Sequence, residues 1–152
     1  MTTATETIRI FVEIDAELVA WINAAEAAAL EKVTDRRWVN AIKKAAAFLS
    51  SDLNAAAWHA ESNTLCITSP QSGKTYEANA AGCGCEANAA GKPCWHRAAA
   101  RLVQRAYEAR TATREAARVA ALVQDDEQAA RAERLIALRM LNIKMRRRRM
   151  YA

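Results

Sequence analysis

The spacing of apolar residues over the first fifty positions changes once. Residues 8–14 alternate between apolar and other side chains and are rich in β-branched residues, which predicts a strand. From Asp15, a predicted N-cap, apolar residues recur at helical spacing, and a second helix is predicted from about Arg36. The two apolar stripes are Leu18, Ile22, Ala25, Ala29 and Val33, and then Trp38, Ile42, Ala45 and Leu49. Residues 1–53 are thus predicted to form a strand and a helical hairpin.

Short runs of strand formers alternate with turn residues between positions 54 and 82. Strands are predicted near residues 56–60, 64–68 and 74–78, with turns between them. This pattern indicates a three-stranded meander that leads directly to Cys83. Cys66, inside the middle strand, is expected to be a small buried residue, and His59 a surface residue.

A helix is predicted from Cys94 onward, and it carries arginines along one side. Arg97, Arg101 and Arg105 recur every four residues, so they share one face. Later arginines repeat this spacing, namely Arg110, Arg114 and Arg118. We therefore expect a basic stripe that begins beside the cysteines.

A new helix start is predicted at Asp125, because Gln128 follows three residues later as in a capping box. The segment that follows presents a wide apolar surface, formed by Leu135, Ile136, Leu138, Leu141 and Ile143. We expect it to pack on the N-terminal helices or on another subunit. The chain ends in a basic tail, residues 146–152, that contains Arg146, Arg147, Arg148 and Arg149.

The predicted organisation is an α+β fold in four parts. These are the N-terminal strand and hairpin (1–53), a metal-binding module (54–110), a C-terminal helical region (111–145) and the tail (146–152). Although 52% of the 152 residues are hydrophobic, many of these are alanines, and aromatic residues make up only 6% of the chain. We expect a modest core, anchored by Trp21 and Trp38 and supported by a metal or a partner.

The composition also bears on the compartment. No apolar run has the length that a membrane span needs, and the first residues do not resemble a signal peptide. We therefore expect a cytoplasmic or nucleoid-associated protein in which disulfides are unlikely to form.

Three of the four cysteines and one of the two histidines lie between positions 83 and 96. Cys83, Cys85, Cys94 and His96 supply three sulfurs and one imidazole, which suit a tetrahedral zinc ion and leave no open position for a substrate. Two other interpretations are a redox pair formed by Cys83 and Cys85, and cysteines that share no function. A redox pair would not need Cys94 and His96.

The order and spacing Cys83-x-Cys85, eight residues, Cys94-x-His96 resembles the SWIM zinc finger, whose pattern is CxC, a variable loop and CxH. In that family the first pair follows a β-hairpin and the second opens a helix. The resemblance covers roughly residues 55–107 and implies that these four residues bind one structural Zn²⁺. It also implies a module that binds DNA or another protein. A large aliphatic residue usually follows the histidine, whereas Arg97 stands here.

Charge is distributed unevenly along the chain. Residues 1–96 carry a net charge of −3 and residues 97–152 a net charge of +8. Arg97, Arg101 and Arg105, together with the four tail arginines, therefore predict contacts with nucleic acid, DNA more than RNA. A solvated helix face and a solubilising tail would give the same pattern.

The sequence contains no recognisable catalytic motif. It has neither a phosphate-binding glycine loop nor a nucleophile elbow, and Asp125, Asp126 and Glu127 are expected to cap a helix rather than to catalyse. We therefore predict that the protein is not an enzyme. The alternative to nucleic-acid binding is an adapter, or a small subunit of a recombination or transposition complex, that docks a protein partner or a second copy.

Overall fold

The computed structural model describes the backbone of residues 11–150 and the side chains of residues 11–142. The predicted α+β fold is confirmed, with four helices and one four-stranded antiparallel sheet among the described residues. The elements in chain order are β1 (Phe11–Glu13), α1 (Ala16–Leu30), α2 (Arg36–Ser51), β2 (Ala56–His59), β3 (Thr64–Thr68), β4 (Thr75–Ala78), α3 (Glu86–Ala89) and α4 (Trp95–Met150).

The sheet has the simple order β1-β2-β3-β4, and each strand is antiparallel to its neighbour. The predicted meander is present as β2, β3 and β4. The first strand, predicted separately, adds to its edge, where Val12 pairs with Trp58 of β2. Of the predicted N-terminal strand, Ile8 and Ile10 lie outside the described residues. The pairing of β1 with β2 joins residues 46 positions apart, as between Val12 and Trp58, so local periodicity could not reveal it.

Aspartates cap both helices of the N-terminal hairpin. Asp15 Oδ1 accepts a hydrogen bond of 2.6 Å from the backbone N–H of Leu18, and Asp35 Oδ1 accepts one of 2.7 Å from Arg37. These bonds satisfy N–H groups that a helix start leaves without a partner, so α1 and α2 begin where the sequence predicts. The two helices pack against each other as the expected hairpin.

Trp58, on β2, is the largest fully buried side chain among the described residues. The same core cluster contains large buried aliphatic side chains from the helical hairpin, the sheet and α4, namely Leu18, Ile22, Leu49, Leu65, Ile67 and Val103. Trp21 and Trp38, the predicted anchors, are only partly buried and pack at the edge of this core. Ala98, Ala99 and Ala100 are buried. Their small side chains allow α4 to lie close to the sheet and hairpin.

Arg110, predicted to belong to the basic stripe, is instead buried. Its Nη1 lies 3.1 Å from both carboxylate oxygens of Asp15, and its guanidinium lies over the ring of Tyr107. An arginine that loses water needs such a charged partner. Arg110 therefore fixes α4 to the start of α1.

The chain divides into two compact units, residues 1–110 and 111–152. Helix α4 continues without interruption through residue 125, so the predicted fresh helix start at Asp125 is wrong. The sequence contains neither glycine nor proline after Pro93, and nothing else in this stretch stops a helix.

The apolar side chains of the second unit are exposed. Large ones between residues 119 and 141, which include Leu135, Ile136 and Leu138, are 51–64% exposed. The packing of this surface on the N-terminal helices or on another subunit stays a prediction. No helix among the described residues combines the length and the apolar character that a membrane crossing requires.

Candidate metal centre

Two short segments bring the predicted ligands together, one between β4 and α3 and the other at the start of α4. Cys83 follows the sheet and forms a β-bridge with Ala78, the last residue of β4. Cys85 is the N-cap residue of α3, Cys94 directly precedes α4, and His96 lies in the first turn of α4. The hairpin-then-helix arrangement expected around the two pairs is therefore present.

The four ligand atoms are close enough to share one ion. The sulfurs of Cys83, Cys85 and Cys94 and an imidazole nitrogen of His96 all lie within 4.8 Å of one another. All four residues are buried. The structure therefore contains a Cys₃His site that could hold a metal ion, and its donor set fits zinc.

His96 gives the most direct test of whether a metal fits. Its side chain is 5% exposed, and both ring nitrogens are buried without a hydrogen-bond partner. The rings of Tyr76 and Trp95 lie 4.6 Å and 4.1 Å from the imidazole, measured between centroids. A buried ring nitrogen without a partner is unfavourable, and coordination of a metal would satisfy one of the two.

Burial, together with the nearby positive charge of Lys44, lowers the pKa of His96 to about 4. At neutral pH the imidazole is thus uncharged and has a lone pair to donate. The neutral ring is the form that binds metals.

The three thiols respond differently to their surroundings. Burial raises the pKa of Cys83 to about 12, with neighbouring Cys85 and Cys94 contributing, and burial likewise raises the pKa of Cys94. Burial acts in the same direction on Cys85, but backbone N–H groups of Asn88 and Ala87 and the two other thiols outweigh it and lower its pKa. Three sulfurs this close repel one another as thiolates unless a cation lies between them.

Hydrogen bonds around the ligands hold the loop in place. The side-chain amide of Asn88 donates to the carbonyl oxygen of Cys83 at 2.7 Å, and the backbone N–H of Arg97 donates to Cys94 Sγ at 3.4 Å. Asn79 Oδ1 accepts bonds from the N–H groups of Ala81 and Gly82 in the turn before Cys83. These contacts orient the ligands, as outer-shell partners do in metal sites.

Gly84 separates the first two cysteines of the cluster. It has no positive φ, and a side chain at this position would meet nothing within 4 Å. The left-handed glycine of this loop is Gly91, with φ +67°, just after α3. The turn that returns the chain to Cys94 therefore depends on Gly91.

Cys66, the remaining cysteine, is half-buried in β3 and does not belong to the cluster. It was expected to be a small buried residue, and it is only partly buried, although it is not one of the clustered ligands. Of the other interpretations, a redox pair would require only Cys83 and Cys85 to approach each other. The convergence of Cys94 and His96 on the same point is what a metal site requires.

The three predicted arginines of α4 are not equivalent in their contacts. Arg97 Nε and Arg101 Nη2 both donate to the carbonyl oxygen of Ala80, at 2.9 Å and 3.1 Å. Both guanidinium groups also lie over the ring of Trp38, at 5.6 Å and 5.7 Å from its centroid. Arg105 is exposed. Ala80 and Trp38 have no signal in the sequence that would link them to this row of arginines.

Positive charge is concentrated in this row. Burial lowers the pKa of Arg101, and the like charges of Arg97 and Arg105 lower it further. Arg101 and Arg105 also border a cavity of about 160 Å³. Its other lining residues are Ala29, Val33, Trp38, Ile42, Ala98 and Leu102. The side chains of Arg146, Arg147, Arg148 and Arg149 lie outside the described residues.

Comparison of the chain with protein-family models, with curated proteins and with solved structures found no match. The class of the protein is defined by its fold and its site alone: it is an α+β protein with a buried Cys₃His site that could hold a metal ion.

Proposed function

We propose that this chain is a zinc-stabilised, non-enzymatic binding module of the SWIM type, whose target is nucleic acid, DNA rather than RNA. The observation that carries the proposal is the row of Arg97, Arg101 and Arg105, held on the first turns of the helix that also carries His96. The metal would fix this helix start, and the arginines would contact phosphates.

The role of zinc follows from the closed ligand set. Three cysteines and one histidine complete a tetrahedron, so the ion would be structural and would have no position for a substrate. Because the ligands come from the end of the sheet, the α3 loop and α4, a bound ion would connect elements that share only a modest, alanine-rich core.

The arrangement of the arginines supports phosphate binding. The Ala80 carbonyl and the Trp38 ring hold Arg97 and Arg101 in place, so less side-chain entropy remains to be lost when a ligand binds. A guanidinium has five N–H donors, and only one of each is used by Ala80. Burial and the like charges of Arg97 and Arg105 lower the pKa of Arg101, and a phosphate anion would relieve the repulsion between these arginines.

The metal is tested by elemental analysis of two matched variants. Cys85→Ser should lose stoichiometric zinc and melt at a lower temperature, because one of four ligands is removed. Cys66→Ser should keep its zinc, because this residue lies outside the cluster. A Cys85→Ser protein that retains both its zinc and its melting curve would refute the assignment.

Nucleic-acid binding is tested with a salt series on single- and double-stranded DNA. Affinity should fall steeply with salt, with a slope of about 0.9 per phosphate neutralised on duplex DNA. Arg105→Ala should weaken binding and reduce the slope by about one. The control Lys74→Ala, which removes the same charge from an exposed turn, should change neither. Affinity that does not vary with salt would contradict the proposal.

The second candidate function is that of an adapter whose zinc site is only a scaffold. The exposed apolar side chains between residues 119 and 141 favour it, because soluble monomers rarely present so many on one helix. A zinc-loaded protein that binds neither form of DNA but associates through this helix would select this alternative, as a subunit of a larger complex.

A further inference from the structure

The segment of α4 after Arg110 contains a sequence pattern with a centre of symmetry. Residues 4, 7 and 11 positions away from a given helical residue lie on the same side of the helix as that residue. Counted in both directions from Ala130, these positions define one continuous face. We call it the seam, and it consists of Val119, Val123, Asp126, Ala130, Arg134, Ala137 and Leu141.

All seven seam residues are exposed, and their character is matched about the centre. Apolar residues occupy both outer positions, Val119 and Leu141, which are 51% and 58% exposed. Val123 and Ala137 occupy the next pair, and Ala130 stands at the centre, where a small side chain permits close approach of a second helix.

The charges of the seam select one orientation. Asp126 and Arg134 lie at equal distances on opposite sides of Ala130. If two copies of the helix ran parallel, each aspartate would face an aspartate and each arginine an arginine. If they ran antiparallel, each Asp126 would face Arg134 of the other copy, and the complex would contain two such pairs. Like charges placed opposite each other disfavour the first arrangement.

We propose that residues 119–141 of α4 pair antiparallel with the same segment of a second copy of this chain, about a twofold axis at Ala130. Val119 then faces Leu141 of the second copy, Val123 faces Ala137, and Asp126 faces Arg134. Such an interface is closed and uses the same patch on both molecules. The paired segments extend over about 34 Å, from a rise of about 1.5 Å for each residue.

The inference does not depend on nucleic-acid binding. It uses only residues of the second unit and explains why large apolar side chains are exposed there. Leu122 and Leu138 flank the seam and would add apolar area on either side of it.

Sedimentation equilibrium of the full, zinc-loaded chain over a concentration series tests the proposal. The wild-type protein should reach twice its mass of 16.7 kDa. Asp126→Arg and Arg134→Asp should each raise the dimer dissociation constant by about tenfold or more, because two attractions become two repulsions. The double variant, Asp126→Arg with Arg134→Asp, should return to within about threefold of wild type.

Arg139→Asp serves as the matched control. It makes the same charge change as Arg134→Asp, but residue 139 lies on the side of the helix opposite Ala130, so association should be nearly unchanged. A protein that stays monomeric at all concentrations would overturn the proposal. So would single variants that associate like wild type, or a double variant that fails to recover, since a parallel pair or another register gives those results.

Discussion

Asp15 and Asp35 are both helix N-caps, but only the carboxylate of Asp15 also contacts a buried arginine. The Nη1 atom of Arg110 lies 3.1 Å from each oxygen of Asp15. The side chain of Asp15 is 53% exposed, so solvent weakens the attraction, whereas the arginine has almost no access to water. Loss of Asp15 would therefore leave a buried cation without its carboxylate.

We predict that Asp15→Ala destabilises the protein by about 2–4 kcal/mol and Asp35→Ala by about 1 kcal/mol. Both variants lose a cap, which is worth about 1 kcal/mol. Only Asp15→Ala also leaves Arg110 unpaired, which adds about 1–3 kcal/mol. Urea denaturation of the zinc-loaded variants measures the difference. Equal destabilisation of the two would mean that the Arg110 contact contributes nothing.

At the scale of elements, the short helix α3 and the turn after it determine where Cys94 and His96 lie. The backbone N–H of Gly91 donates to the carbonyl oxygen of Asn88 at 3.0 Å, and that of Lys92 donates to Ala87 at 2.9 Å. With φ +67° at Gly91, this is the usual way in which glycine ends a helix. The second ligand pair is thus positioned by a backbone conformation that other residues adopt with strain.

Gly91→Ala should destabilise the protein by about 1 kcal/mol, because the new side chain is strained in the left-handed region. It should also weaken zinc affinity, since the strain falls on the segment that delivers Cys94. Gly84→Ala lies nearer to the ligands, but it has no positive φ and open space around it, so it should be almost neutral. Competition with a chelator and thermal melting measure both variants. A larger effect at Gly84 than at Gly91 would show that the first turn, not the second, limits the site.

At the scale of the whole molecule, stability is coupled to the protonation of the metal centre. His96 faces Lys44 of α2, Tyr76 of β4 and the three thiols, and burial with the charge of Lys44 lowers its pKa to about 4. In the unfolded chain its pKa would be near the ordinary 6.5. Between these values the unfolded state binds more protons than the folded state.

We predict that the metal-free protein loses stability as the pH falls from about 6.5 to about 4, with no further loss from His96 below that range. Zinc-loaded protein should also release its metal on acidification, because protons compete for the thiolates. Unfolding free energies at several pH values, with and without zinc, measure both effects. Stability of the metal-free protein that is constant over this range would contradict the buried, neutral state of His96.

Most elements and the four candidate ligands could be predicted because they depend on neighbours in sequence. Asp15 and Asp35 cap helices through bonds to residues two or three positions away, and the two short ligand pairs are visible in the chain itself. The predicted helix start at Asp125 was wrong because it too was judged from neighbours in sequence alone. A capping pattern permits a helix to begin, but it does not stop one that is already formed.

The sequence by itself determined the helical hairpin and the meander, and it identified Cys83, Cys85, Cys94 and His96 as candidate ligands. Only the tertiary structure decided which charges are buried and which remain free. Arg110 and Arg105 have the same chemistry, yet Arg110, four residues after buried Ala106, pairs with Asp15, 95 residues away, and Arg105 is exposed. The physical reason is that desolvation and pairing of a charge depend on what packs against it, which helical periodicity does not specify.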